Sequence, residues 1–196
     1  MFMKTTKRLM LLAYAVLLSM VSTTPTPVFS QIPLQATNIQ LGMKYYNLVR
    51  YHGEPLKKDI NGDFTVALYS VVIDLGGLNE KMEDYFDDSY TYFLIRDKEV
   101  IGITTRITMK NHVTMTSFYN SALNTRLDQY GEPDNKKPGM AGWTIYNVEE
   151  GTNIMETLMM IPDYQNERYV VIIGGAKEED FQHLTRITES TLFTSR

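Results

Sequence analysis

The sequence predicts an α+β fold in which helices pack on an antiparallel sheet, as two similar αβββ units plus a C-terminal helix. Three observations support this prediction. Apolar residues recur at helical spacing in three segments, and runs of alternating or β-branched residues lie between them. The tripeptide Gly-Glu-Pro occurs at Gly53–Pro55 and again, 78 residues later, at Gly131–Pro133. Because glycine and proline end helices, this repeat indicates that one unit occurs twice.

The first thirty residues are typical of a secretory signal peptide. Basic residues precede an apolar run over 9–21, and prolines follow it. This run has only 13 residues, fewer than the roughly 20 that cross a bilayer as a helix. We therefore expect cleavage near Ser30 and Gln31, a periplasmic or secreted location, and no stable membrane span in the mature chain.

The domain prediction follows from the repeat and the signal. We expect a signal peptide over 1–30, a first αβββ unit over 31–112, and a second unit with the C-terminal helix over 113–196, the two units forming one compact body. From residue 31 onward the chain has 16 basic and 23 acidic side chains, a net charge of -7. Nucleic-acid binding needs a dense basic surface, so no nucleic-acid partner is expected.

The first unit is predicted to open with a helix. The stripe from Leu41 to His52 indicates a helix that starts near Thr37, with Thr37 or Asn38 as its N-cap, and that ends at Gly53. The segment Phe64–Leu75 is rich in β-branched and aromatic residues and predicts a strand.

A β-hairpin is the clearest local prediction. Apolar residues alternate strictly along Glu99–Met109, and the preceding strand is expected at Tyr90–Arg96. The two residues between these strands, Asp97 and Lys98, are the predicted turn.

The second unit is predicted to repeat this order. A stripe from Phe118 to Tyr130 indicates a helix capped by Thr116 or Ser117 and ended by Gly131. The stretch from Pro133 to Gly142 is expected to be an exposed, irregular loop. Strands are predicted at Trp143–Val148, Thr152–Ile161 and Tyr169–Ile173, and a last helix at Glu178–Leu192.

The strands that follow the two glycine stops begin alike. Each opens with an aromatic residue, a threonine and a β-branched residue, at Phe64–Val66 and at Trp143–Ile145. The repeat therefore matches Phe64 with Trp143.

The segment Ile39–Met43, followed by a helix and by Gly53–Pro55, resembles the small envelope domains of the SmpA/OmlA (BamE-like) type. The second half has Gly131–Pro133 and Trp143, but no Gly-Met pair opens its helix. The chain also has no cysteine, whereas the lipoprotein members carry one for lipid attachment. The resemblance implies a helix-on-sheet unit with a binding or assembly role and no catalysis.

No catalytic or metal-binding residue and no cofactor is predicted. The chain lacks both cysteine and a Gly-x-Ser-x-Gly motif, which are common signs of a nucleophile. The histidines His52, His112 and His183 do not have the i, i+4 spacing that presents two imidazoles to one metal ion.

One calcium-like pattern is interpreted as a turn. Asp59, Asn61 and Asp63 have the spacing of the first calcium ligands, but Phe64 and Ser70 stand where an EF-hand needs glycine and glutamate. A polar turn at Asn61-Gly62 is favoured.

Other polar patterns also favour structural roles. The acidic stretch Glu80–Asp88 predicts a solvated face, and adjacent Glu149 and Glu150 would point to opposite sides of a strand. The glycine pairs Gly76–Gly77 and Gly174–Gly175 are expected to be strand-ending turns rather than phosphate-binding loops.

Tyr90 and Tyr92 are the candidate binding residues. Alternation places both rings on one face of their strand. If that face is solvated, the rings form a partner surface. If it faces the helices, they belong to the core. The core interpretation is favoured, because aromatic residues in strands suit a half-buried face.

The leading functional hypothesis is an exported, non-enzymatic binding or assembly protein of the cell envelope, with an envelope protein or surface as its partner. Two alternatives stay open. One is a hydrolase of polysaccharide or peptidoglycan that uses paired carboxylates from distant segments. The other is a carrier with a small apolar ligand between its helices and its sheet.

Overall fold

The computed structural model describes residues 41–70, 86–148, 151–164 and 167–193. Within these ranges the chain forms eight strands, three α-helices and a 3-10 turn. In chain order they are α1 (Tyr45–His52), β1 (Lys57–Asn61), β2 (Phe64–Ser70), β3 (Phe86–Arg96), β4 (Glu99–Met109), α2 (His112–Tyr130), β5 (Asn135–Lys137), β6 (Met140–Asn147), β7 (Thr152–Asp163), β8 (Arg168–Lys177), the 3-10 turn (Glu178–Asp180) and α3 (Phe181–Phe193).

All eight described strands belong to one antiparallel sheet in the order β1-β2-β3-β4-β8-β7-β6-β5. Strands β1 to β4 form one meander and β5 to β8 form a second. The final strands of the two meanders pair at the centre, where Thr105 of β4 lies opposite Ile173 of β8. The strand order is therefore two-fold symmetric about the β4–β8 pair.

The predicted fold class is wrong. The described chain is dominated by one large antiparallel sheet with three short helices, and it is richer in strands than an arrangement of helices packed on two αβββ units. Each half contributes four strands, because the segment after each of the first two helices forms a short strand, β1 or β5. Both are exposed along their whole length, so neither shows the alternation from which strands are recognised.

The stretch from Pro133 to Gly142 is also not an irregular loop. It contains β5, which pairs with the start of β6. Pro138 and Gly139 form a two-residue turn between these strands, and Gly139 has a φ of 72°. This left-handed conformation favours glycine, which has no Cβ to clash with the backbone.

The predicted hairpin is confirmed as β3 and β4. Its two turn residues, Asp97 and Lys98, have φ values of 51° and 66°. Positive φ at both central positions is the geometry of a type I′ turn, whose twist matches that of the flanking strands.

Both glycine helix stops are confirmed. Gly53 and Gly131 each have a φ of 78°. Their N–H groups donate to carbonyls four residues earlier, those of Val49 and Leu127. The two helices therefore end in the same way, as the repeated Gly-Glu-Pro predicts.

The predicted start of the first helix is wrong. Residues 42–44 pair with the beginning of β4, where the N–H of Gly42 donates to the carbonyl of Val100 at 2.7 Å. Because these backbone groups bond to β4, α1 begins only at Tyr45. The expected N-caps, Thr37 and Asn38, lie outside the described residues.

The start of α2 is also earlier than predicted. Its N-cap is Asn111, whose side-chain oxygen accepts a hydrogen bond from the N–H of Thr114 at 2.8 Å. Asparagine favours this position because it satisfies a free N–H of the first helical turn. Thr116 and Ser117 consequently lie inside the helix.

Two clusters of buried apolar side chains are described, one in each half, and further buried residues such as Leu94, Ile172 and Leu184 lie outside both. The first-half cluster joins α1 to β2, β3 and β4, and the second-half cluster joins α2 to β4, β6, β7 and β8. The first contains Leu48, Ala67, Tyr69, Phe93, Ile95 and Val100; the second contains Ile107, Met109, Met115, Phe118, Tyr119, Ala122, Ala141, Trp143, Leu158, Val171 and Ile173.

The C-terminal helix is tied to the first half through its leading turn. Asp180 is fully buried, and its Oδ1 lies 2.6 Å from Nη1 of Arg96 on β3. Further along, Leu184 packs against Gly102 on β4. Among the described residues, no helix is both long and apolar enough to cross a membrane.

Candidate functional site

The predicted binding residues Tyr90 and Tyr92 lie on one face of β3, and both are half-buried. Their cross-strand neighbours are Arg106 and Thr104. Phe93 points to the opposite face, where it belongs to the first-half core cluster. The two tyrosines are therefore outside that cluster, and their binding role stays a prediction.

Each of the three histidines packs against an aromatic ring. Where the chain is described, no group of three His, Cys, Asp or Glu side chains is placed to hold a metal ion. The ring centroids are 6.5 Å apart for His52 and Tyr69, 5.6 Å for His112 and Tyr164, and 4.3 Å for His183 and Phe64.

The calcium-like segment forms the predicted polar turn. Asn61 ends β1, Gly62 has a φ of 61°, and Asp59 forms an exposed ion pair with Lys57. The other acidic candidates are mostly outside the described residues. These are Glu80, Glu83, Asp84, Glu149 and Glu150; the pair Gly76–Gly77 also lies outside.

The prediction that Gly174–Gly175 forms a turn is wrong, because both glycines lie inside β8. Gly174 is opposite Thr104 in the sheet. A Cβ on Gly174 would lie 3.1 Å from the hydroxyl oxygen of Thr104. Glycine is thus required there for close packing between neighbouring strands.

The structure aligns the two halves differently from the sequence repeat. The first residue of β1 pairs with Leu68, and the first residue of β5 pairs with Gly142. The next residues, Tyr69 and Trp143, are therefore equivalent, whereas the repeat matched Trp143 with Phe64. The match shifts because β1 has five residues and β5 has three.

The equivalent aromatic residues make the same contact. The hydroxyl of Tyr69 donates to the carbonyl of Gly53 at 3.2 Å, and Nε1 of Trp143 donates to the carbonyl of Gly131 at 3.0 Å. Burial, followed by nearby Tyr45 and Glu54, raises the pKa of Tyr69 to about 12. Each half thus fixes its helix stop to its second strand with a neutral donor.

In the second half this contact borders an open pocket of about 280 Å³. Trp143 is 3% exposed and Tyr146 is 62% exposed, so the lining extends from the core to the surface. We call this depression the β6 pocket. It is lined by Tyr130, Glu132, Asp134, Trp143, Thr144, Ile145 and Tyr146.

The charge of the β6 pocket is negative. Asp134 is held in place because its Oδ2 accepts a hydrogen bond from the N–H of Thr144 at 2.6 Å. Glu132 is exposed and lies 3.8 Å from the ammonium of Lys136, a distance at which an exposed pair is weak. The described lining itself contains two carboxylates and no basic side chain.

A buried ion pair lies behind the wall of the pocket. Nη2 of Arg126 on α2 is 2.5 Å from Oε1 of Glu156 on β7, and their side chains are 8% and 16% exposed. Glu156 also shares a side-chain hydrogen bond with Tyr130. Burial, and then the charge of Glu156, raise the pKa of Tyr130, so its hydroxyl is a neutral donor at physiological pH.

Sequence reasoning missed this cluster, although a signal was present. Ala122, Arg126 and Tyr130 have i, i+4, i+8 spacing, which places an arginine inside an otherwise apolar helix stripe. Its partner could not be found in the same way. Glu156 comes from a strand thirty residues later, and only the sheet register brings it under the helix.

The arrangement suits the binding of a cation. Aromatic faces attract ammonium and guanidinium groups, and a carboxylate adds a charge-assisted hydrogen bond. The lining contains three aromatic residues, the buried Trp143, the half-buried Tyr130 and the exposed Tyr146, and Glu132 and Asp134 supply the carboxylates.

A second depression, also of about 280 Å³, lies between α3 and strands β2 and β3. Its lining is mainly apolar, with two basic or titratable side chains from α3. It comprises Asn61, Phe64, Val66, Leu94, His183, Arg186 and Ile187.

Comparison with protein-family models, with curated proteins and with solved structures gives no match. Function is therefore inferred from the geometry of the described residues.

Proposed function

We propose that the protein is an exported, non-enzymatic binding protein of the cell envelope, and that it holds a basic side chain of a protein partner in the β6 pocket. One observation carries the proposal: two carboxylates, Glu132 and Asp134, share a pocket with three aromatic residues. A lysine or arginine side chain has the matching chemistry, a charged head on an apolar stem.

The expected affinity is modest. A cation over an aromatic ring contributes about 0.5–2 kcal/mol, depending on how far it is desolvated. The pocket is open and its carboxylates are within reach of solvent, so salt screens the attraction. A partner would gain further affinity from contacts around the pocket.

The single tryptophan of the chain provides the test. Because Trp143 lines the pocket and is the one tryptophan in the sequence, its fluorescence reports on this site alone. We expect a saturable change with Nα-acetylarginine amide and Nα-acetyllysine amide, weaker at higher salt, and no change with the neutral Nα-acetylnorleucine amide. Identical responses to all three compounds would contradict the proposal.

Charge-removing variants sharpen the test. D134N keeps an oxygen that can accept from Thr144 but removes the negative charge, and E132Q removes the second charge. We expect each to weaken binding of the basic probes at least threefold. The matched control is E54Q, since Glu54 follows the first glycine stop as Glu132 follows the second. A loss of binding in E54Q equal to that in E132Q would contradict the assignment to the second half.

The second depression favours a carrier function as the other candidate. Its apolar lining between α3 and the sheet suits a small apolar ligand with an anionic group near Arg186. Native mass spectrometry of the purified protein tests this alternative, which predicts a retained ligand that V66W, by filling the depression from its half-buried lining position, removes.

A further inference from the structure

The two halves differ at one buried helix position. Arg126 lies five residues before Gly131, and Leu48 lies five residues before Gly53. Leu48 is fully buried and Arg126 is 7% exposed. The second half therefore has a charged side chain where the first half has part of its apolar core.

The partner of the arginine shows the same contrast. Glu156 lies opposite Trp143 in the sheet, and Thr91 lies opposite Tyr69. Since Tyr69 and Trp143 are equivalent, Thr91 is the counterpart of Glu156. The first half thus fills the positions of the ion pair with leucine and threonine.

Stability alone does not account for the pair. Burying two charges costs desolvation energy, and replacing a buried pair with apolar residues is often neutral or stabilising. Nε of Arg126 is buried and has no hydrogen-bond partner among the residues that the structure describes, which adds to this cost. Leu48 and Thr91 show that the equivalent positions of the first half are filled without an ion pair.

The contacts of Glu156 indicate what the pair does. Its carboxylate is paired with Arg126 and accepts a hydrogen bond from the hydroxyl of Tyr130. The ring of Tyr130 lines the β6 pocket, and its centroid is 6.5 Å from that of Trp143. The ion pair therefore connects helix α2, strand β7 and the wall of the pocket.

We propose that Arg126 and Glu156 are positioning residues, whose ion pair fixes the ring of Tyr130 at the pocket and thereby sets its affinity for a basic side chain. The part concerning affinity rests on the proposed function. The part concerning the ring does not, because it is a property of the free protein.

The double variant R126L/E156T copies the first half and tests this inference. We expect it to unfold cooperatively at a melting temperature equal to or above that of the wild type. With the ring of Tyr130 released, acrylamide should quench Trp143 at least twofold more strongly, and the basic probes should bind at least fivefold more weakly. K44L/E99T, which removes the exposed Lys44–Glu99 pair of the first half, is the control and should change neither quantity.

Two further variants keep the test decisive. Y130F removes only the hydroxyl that Glu156 holds, so it should raise acrylamide quenching even if the double variant fails to fold. Adding R126L/E156T to Y130A should weaken binding no further than Y130A alone, because the pair acts through that ring.

The outcomes separate the two proposals. Unchanged quenching in Y130F or in a folded R126L/E156T would overturn the positioning role, whatever the wild type binds. If quenching rises but the wild type binds neither basic probe, the positioning role holds and the proposed function fails. Wild-type affinity in a folded R126L/E156T overturns the link between the pair and binding.

Discussion

At the scale of single residues, the two halves use different side chains for one task. Tyr69 and Trp143 both donate to the carbonyl of a helix-ending glycine. An indole N–H does not ionise, and the pKa of Tyr69 is raised to about 12, so both donors persist at physiological pH. In the second half the neighbouring space is the β6 pocket, whose lining holds the carboxylates of Glu132 and Asp134.

The ionisation of Tyr130 gives the prediction at this scale. Glu156 raises the pKa of Tyr130 and Arg126 lowers it, so E156Q removes a raising influence and leaves a lowering one. The pKa of Tyr130 should therefore fall in E156Q. Because tyrosinate quenches a nearby indole, the loss of Trp143 fluorescence on raising the pH should begin at a lower pH than in the wild type.

The raised pKa of Tyr130 also determines how the stability of the folded protein changes with pH. A tyrosine with a raised pKa in the folded state contributes stability that is present below its unfolded pKa of about 10 and is lost as the pH rises further.

The control for the fluorescence titration is Y130F, which should lack the Tyr130 component of the fluorescence change. An alkaline transition at the same pH in wild type and E156Q would show that Glu156 does not influence this ring.

At the scale of elements, the glycine stops explain why α1 and α2 end where they do. At Gly53 and Gly131 nothing lies within 4 Å of where a Cβ would be placed. The cost of a larger residue there is therefore backbone strain at a φ of 78°, and strain of this kind is worth about 1–3 kcal/mol.

We expect G53V and G131V each to destabilise the protein by about 1 kcal/mol or more, measured by urea unfolding. G142A is the matched control, because its Cβ would meet its nearest neighbour at an ordinary 3.6 Å. Wild-type stability of both valine variants would refute the role of positive φ in ending these helices.

The elements also show what the sequence could predict. The β3–β4 hairpin and the glycine stops have strong local signals, namely alternation and Gly-Pro punctuation, and both were found. The starts of α1 and α2 were missed because they depend on a pairing with β4 and on the side chain of Asn111. Strands β1 and β5 were missed because exposed edge strands need no apolar residues.

The β6 pocket shows a further limit of prediction from the sequence. Its residues come from the end of α2, from the segment between α2 and β5, and from β6, and the ion pair behind it adds β7. The sequence repeat even pointed to the wrong register, matching Trp143 with Phe64. Distances across a sheet depend on strand pairing, which a single sequence specifies only weakly when hairpin lengths differ.

At the scale of the whole molecule, Arg96 of the first half forms ion pairs with Asp180 and with Glu179 at the start of the C-terminal segment. Asp180 is fully buried, and burial raises its pKa while Arg96 lowers it. In R96L the carboxylate would lose its guanidinium partner. We expect the free energy of unfolding to fall by about 2 kcal/mol at pH 7, as measured by chemical unfolding.

The pH dependence of R96L has a defined sign. A carboxyl group with a raised pKa favours the folded state below its unfolded pKa, and this contribution is lost as the pH rises through the folded value. The difference in free energy of unfolding between the wild type and R96L should therefore become smaller toward pH 4. K57L, which breaks the exposed Lys57–Asp59 pair, should cost less than about 1 kcal/mol at either pH. If the stability difference between the wild type and R96L did not vary with pH, the charge of the Asp180 carboxylate would not be its cause.

The order of strands in the sheet bears on how such a chain arises. If either meander existed alone, its final strand, β4 or β8, would end the sheet with a row of unpaired backbone groups, and a second copy related by a dyad could cover them. The present β4–β8 seam has the geometry of that homodimer. Tandem fusion of two copies of a self-associating ancestor would produce this seam. One copy could then acquire a buried ion pair while the other kept an apolar core.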